Sequence, residues 1–181
     1  ALHSKLVLHR RVRPRSIVIT KDGVPKLTDV GLASLESARD LADEGHPSTA
    51  WFVSPEQVKD ETEGDVASDL YALGATLFQM VSGRAPFEGD TVEEVREKHV
   101  HAPLPSIRAL RHGVGEGTEA VLKRCLAKRP GDRFVNAGEL AEAIRAVIER
   151  PAVRVASAPG SARPAPSAPA PMLVRRRKRR R

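Results

Sequence analysis

The sequence predicts a mainly α, α+β domain: a small β-hairpin, then about four to five helices, then a tail that builds no core. Three observations predict it. Two short runs rich in β-branched residues flank Asp22-Gly23. Apolar residues recur at helical spacing from residue 66 onward, and the composition breaks at Pro151. The first is a hairpin signal, the second an amphipathic-helix signal, and the third marks a stretch that cannot bury enough surface to fold.

In chain order, Leu6-Val7-Leu8 is a short apolar run that suits a buried strand, and Ile17-Val18-Ile19-Thr20 is a second. Lys21-Asp22-Gly23-Val24 supplies the turn, and Pro25-Lys26-Leu27-Thr28 the return strand. Residues 32–55 show no clean period and read mostly as loop. Residues 66–82 carry Leu70, Leu73, Leu77, Met80 and Val81 at helical spacing. Tyr71, Ala72, Ala75 and Phe78 make that helix apolar nearly all round, so it is expected to be buried. Ser82-Gly83 stops it, as glycine commonly does. Asp90-Thr91 caps a second helix running to about His101. Pro103 and Pro105 mark an extended link. Residues 117–128 form a third helix (Val121, Leu122, Cys125, Leu126), and residues 136–149 a fourth, capped by Asn136 (Leu140, Ile144, Val147, Ile148). Residues 151–171 are dominated by Pro, Ala and Ser and are expected to be disordered or partly polyproline II.

A chain of 181 residues is long enough for one domain with a sizeable core plus a tail. Aromatics make up only 3%, so the core is expected to rest mainly on Leu, Val, Ile and Ala. The net charge of +7 does not mark a basic domain surface. Arg175 to Arg181 carry seven positive charges, and without them the rest is formally neutral. One cysteine, Cys125, allows no intrachain disulfide, which fits a reducing compartment. These residues contain no signal-peptide pattern and no apolar run near the roughly 18 residues needed to span a bilayer.

Five segments carry a resemblance. His9-Arg10-Arg11-Val12-Arg13-Pro14-Arg15-Ser16-Ile17 resembles the protein-kinase catalytic loop, whose pattern is His-Arg-Asp, then Lys-Pro, then Asn. Asp29-Val30-Gly31 resembles Asp-Phe-Gly. Ser54-Pro55-Glu56 resembles Ala-Pro-Glu, which closes the activation segment. Asp65 to Gly74 resembles the start of the family's central buried helix. Cys125-Leu126 with Asp132-Arg133-Phe134 resembles a motif near the end of the lobe. Each match alone is weak. Five in the family's order, each in fitting local structure, identify residues 1–150 as similar to the C-terminal lobe of a bacterial-type serine/threonine protein kinase. A linker (151–174) and a polybasic tail (175–181) follow.

The resemblance implies ATP and Mg²⁺ as cofactors, and it also shows where this sequence departs. The family's catalytic aspartate is Arg11. An arginine stays protonated and offers no acceptor, so it cannot take the substrate hydroxyl's proton. The family's lysine toward the transferred phosphate is Arg13, which keeps the charge but replaces a point charge with a planar fork. The family's metal-binding asparagine is Ser16, a weaker ligand with shorter reach. Asp29 remains in place to hold Mg²⁺, beside Val30 instead of Phe. The family's glycine-rich loop, strand lysine and helix glutamate would precede residue 1, so ATP binding is not expected from these residues alone.

The resemblance makes several matched residues structural. His9 packs beneath the loop, Asp69 anchors the loop backbone, and Glu56 pairs with Arg133. Arg10 is implied as a contact for an activation-loop phosphate, with a solvated arginine as the alternative. Thr49 matches a threonine near the substrate-docking strip. Ser34, Ser37 and Ser48 are loop serines open to phosphorylation, and Cys125 falls among core positions.

Three functions follow as expectations. The first is a pseudokinase-like or remnant lobe that transfers no phosphate from this chain and binds a protein partner. The second is part of an active or membrane-anchored bacterial Ser/Thr kinase acting on a protein substrate. The third is a polybasic module whose residues 175–181 contact an anionic membrane surface or, as a further option, nucleic acid. The expected location is cytoplasmic, at the inner face of a membrane if the protein continues past residue 181.

Overall fold

The computed structural model describes residues 7–30, 46–60 and 64–149. Leu6, Gly31, Ser34, Ser37, the linker and the basic end lie outside the described residues. Within them the chain is mainly helical with one two-stranded antiparallel sheet. Strand β1 (Ile17–Ile19) pairs with β2 (Pro25–Leu27) in the register Ile17↔Leu27, Val18↔Lys26, Ile19↔Pro25. The turn uses the expected Asp-Gly, with Gly23 at φ 77° and its N–H donating to the Thr20 carbonyl (2.9 Å). Thr20 N–H in turn donates to Val24 O (3.0 Å), which leaves a three-residue loop with a left-handed glycine at its end. Val7 and Leu8 are not in a strand, contrary to expectation. A strand needs a partner ladder, and these two three-residue strands pair with each other.

Six α-helices are described: α1 (Pro55–Asp60), α2 (Val66–Ser82), α3 (Val92–His101), α4 (Ile107–Leu110), α5 (Glu116–Cys125) and α6 (Ala137–Glu149). The expected caps form. Asp65 accepts from Ser68 N (3.0 Å) at the start of α2, and Gly83 ends that helix at φ 83°. Thr91 accepts from Glu94 N (3.1 Å) at α3. Asn136 accepts from Glu139 N (3.0 Å) at α6, while Glu139 reaches back to Val135 N (2.8 Å). Each satisfies orphan donors of a first turn.

Helix α2 is the axis of the lobe and packs against α4 and α5. Tyr71, Ala75 and Phe78 meet Ile107, Leu122 and Leu126, while Leu70 meets Cys125, Phe134 and Leu140. Two expectations need correction. Met80 is 57% exposed, because the buried stripe of α2 runs through Tyr71, Ala75 and Phe78 instead. The core is also less aliphatic than composition suggests: Tyr71, Phe78, Phe87 and Phe134 are all buried. Burying each such ring stabilises the fold by roughly 1.5–3 kcal/mol. At Gly74 a Cβ would lie 2.4 Å from Cys125 Cβ, so only glycine lets α2 and α5 approach this closely.

Candidate functional site

The loop before β1 is held from below by α2. Asp69 is 4% exposed, and its two carboxylate oxygens accept from two consecutive backbone N–H groups: His9 (2.8 Å) and Arg10 (2.7 Å). That grip holds Arg10 at φ 65°, a left-handed conformation that costs a side-chain-bearing residue free energy. His9 is 1% exposed and bonded at both ring nitrogens. Nδ1 accepts from Arg11 N (3.3 Å), so Nε2–H is the donor to Thr28 O (2.7 Å). The imidazole thus ties the loop to the strand that leads into Asp29. Val12 is buried, and Thr76 Oγ1 of α2 donates to its carbonyl (3.5 Å).

Ser16 sits at the end of a 3-10 turn over Pro14–Ser16 and is 1% exposed. Its hydroxyl donates to Arg11 O (3.2 Å), and its carbonyl accepts from Thr28 N (2.8 Å) and Thr28 Oγ1 (3.3 Å). Asp29 is exposed at φ 62°. This donor set does not fit Mg²⁺ well. The Ser16 hydroxyl is buried and turned toward the backbone of its own loop. Among the described residues no group of three or more His, Cys, Asp or Glu side chains converges to hold a metal.

Arg10, Arg11, Arg13 and Arg15 line one cavity of about 530 Å³. Its other wall comes from residues 48–53, including Thr49, Trp51 and Phe52, with Gln57 of α1 and Gln79 of α2. No carboxylate contributes to the lining, and neither Asp29 nor Ser16 does. Thr49 is exposed, and its hydroxyl donates to His46 O (2.8 Å). Ser48 Oγ lies 2.7 Å from His46 Nδ1. The structure therefore brings Arg10, Arg11, Arg13 and Thr49 to one cavity and leaves Asp29 and Ser16 outside it.

Glu56 and Arg133 form a separate cluster. Both guanidinium Nη atoms donate to the two carboxylate oxygens at 2.7 Å. Ser68 Oγ donates to the same Glu56 (2.7 Å), and Arg133 also donates to the carbonyls of Ala127 (2.9 Å) and Ala67 (3.0 Å). The guanidinium lies 4.7 Å from the Tyr71 ring centre. Burial pushes the Glu56 carboxyl up, but the hydrogen bonds from Arg133 and Ser68 outweigh it and hold the group at about 2. Three helices are joined here: Glu56 starts α1, Ser68 and Tyr71 belong to α2, and Ala127 follows α5.

Two features escaped sequence reading. Arg15 and Trp51 belong to the cavity. The alternation of arginine at 11, 13 and 15 was the available signal for Arg15, since an extended segment places alternate residues on one side. The second feature is a buried trio. Tyr71 Oη lies 2.8 Å from His99 Nδ1, and Lys128 Nζ donates to His99 O (2.7 Å) and Lys98 O (3.1 Å), closing the end of α3. Burial, then the Lys128 charge, pulls the His99 imidazole down to about 3, with only backbone of Trp51 opposing. Burial, then the Arg133 charge, lowers the Lys128 ammonium to about 8. No local pattern signals contacts so distant in sequence.

Comparison with known proteins places this arrangement. The protein kinase domain family matches residues 1–144. The serine/threonine-protein kinase PknH of Mycobacterium tuberculosis (strain H37Rv) is 33% identical over 152 residues, covering 83% of this chain and 24% of that protein. PknA of Corynebacterium glutamicum is 35% identical over 147 residues, covering 81% of this chain and 30% of PknA. PknE of Mycobacterium tuberculosis (strain H37Rv) is 31% identical over 149 residues, covering 82% of this chain and 26% of PknE. The chain thus spans between a quarter and a third of the length of these relatives. No helix among the described residues is long and apolar enough to cross a membrane.

Proposed function

This chain belongs to the protein kinase domain family, and from that premise we propose that it is a pseudokinase-like lobe: it transfers no phosphate from these residues and acts by binding a protein partner. One observation carries the reading. Arg11 holds the position at which the family uses an aspartate, on a loop whose backbone is firmly anchored by Asp69 and His9. The family implies ATP and Mg²⁺, and its chemistry depends on positioning and charge neutralisation. A carboxylate in that loop would accept or orient the hydroxyl proton of a protein substrate. A guanidinium has five donors and no acceptor, so it does neither. It also adds positive charge where the attacking oxygen would have to give up a proton. Nothing lining the cavity offers a substitute carboxylate.

Two further observations support the reading. The Ser16 hydroxyl is spent inside the loop, which weakens the case for a second metal ligand. The anchoring contacts are intact while the chemistry-bearing position is changed, the pattern expected of a lobe kept for its shape. A phosphotransfer assay with radiolabelled ATP on the longest natural form tests it. The expected result is no turnover above background. Turnover that disappears in an Asp29→Ala variant would overturn the proposal.

A further inference from the structure

We infer that the arginine-lined cavity is a receptor for a phosphorylated serine or threonine side chain on a partner peptide. The inference rests on reading this lobe as a binding module, and it names the ligand of that module. Arg11, Arg13 and Arg15 project from one short segment into a cavity of about 530 Å³ to which no acidic side chain contributes. Such a lining attracts anions, and a phosphomonoester carries about −1.5 to −2 charge at pH 7 with three acceptor oxygens. Planar guanidinium forks match phosphate geometry bidentately.

The opposite wall favours a peptide over a free anion. Phe52, Val53 and Trp51 offer apolar surface to the residues flanking the phosphate. The indole Nε1–H of Trp51 is buried and has no hydrogen-bond partner within the protein, so it is an available donor beside the cationic wall. The cavity also lies apart from Asp29, so a metal-bridged nucleotide would find no carboxylate anchor in it. A phosphopeptide needs none.

Trp51 is the single tryptophan of the chain, and its emission reports on this cavity alone. The test titrates the full chain with a short peptide carrying one phosphothreonine between apolar residues. Its unphosphorylated twin, inorganic phosphate and ATP are titrated in parallel. Expected is a saturable change in Trp51 emission, with a midpoint at least about tenfold below that of the unphosphorylated twin. Arg11→Gln and Arg13→Gln should each raise the midpoint by about five- to tenfold, while Arg13→Lys, which keeps the charge and loses the fork, should fall between. Far-UV circular dichroism confirms that each variant is folded.

The basic residues 175–181 also attract anionic peptides, but binding there leaves Trp51 silent. Equal midpoints for the two peptides would overturn the inference. So would unchanged midpoints in both arginine variants, or inorganic phosphate or ATP acting at or below the phosphopeptide's midpoint. The parent reading fails separately. Turnover in the radiolabelled assay would remove it without moving the Trp51 titration, and a flat titration would remove only the ligand.

Discussion

The loop at residues 9–16 and the ion pair between Glu56 and Arg133 use the same residue type for opposite ends. Arg133 is 2% exposed, bidentate to a carboxylate and bonded to three backbone carbonyls, so its charge is consumed by the fold. Arg11, Arg13 and Arg15 line an open cavity whose lining contains no carboxylate, so their charge is presented outward. Buried pairs and anchored backbones define a shape, while an uncompensated charged wall defines a ligand. In this lobe the first set follows the family pattern and the second departs from it.

The largest break in that comparison should come from Arg133→Met. It leaves Glu56 with no cation, and losing one partner of a buried pair costs about 3–5 kcal/mol. Urea unfolding should show that loss as a lower midpoint with an unchanged slope. Asp69→Ala should follow, at about 2–3 kcal/mol, because two loop N–H groups lose a charged acceptor. Hydrogen exchange at His9 and Arg10 amides should accelerate more than exchange in α5. If exchange in the loop stays unchanged, Asp69 does not hold it.

Acid offers a third, graded test. Both perturbed groups have folded values below their ordinary ones, so each contributes stability that is present at neutral pH and lost on acidification. For His99 the loss begins below about 6.5 and continues toward about 3, as the unfolded chain binds the proton that the buried ring refuses. For Glu56 it runs from about 4.5 toward about 2. Thermal melts across this range should fall in two overlapping limbs. His99→Gln should remove the upper limb and Arg133→Met should shrink the lower one.

The smallest effect sharpens the comparison from the other side. Arg11→Gln should change unfolding free energy by less than about 1 kcal/mol, as surface substitutions away from anchored networks usually do. A loss as large as that of Arg133→Met would show that the cavity arginines hold the fold after all.

Much of this was legible in residues 66–149. Gly83 and Asn136 mark helix ends through chemistry that acts within four residues, and Asp22-Gly23 does the same for the hairpin. The short helices α1 and α4 were missed because four to six residues hold too little of a 3.6-residue period to register. Met80 and Leu77 look equivalent in sequence. Only the placement of α4 and α5 around α2 decides that Met80 faces water. At the site, the identity of Arg11 was visible at once, but its neighbours across the cavity were not. Trp51 and Arg15 are separated by 36 positions, and only the folded chain sets them around one space.

The contact at Gly74 also sets a clock. Cys125 is the sole thiol, it is fully buried against α2, and burial pushes it up to about 12, far from its reactive thiolate form. A thiol reagent at neutral pH therefore modifies only molecules in which α2 and α5 have parted. Its labelling rate counts those openings one molecule at a time, and so measures how often the centre of the lobe breathes.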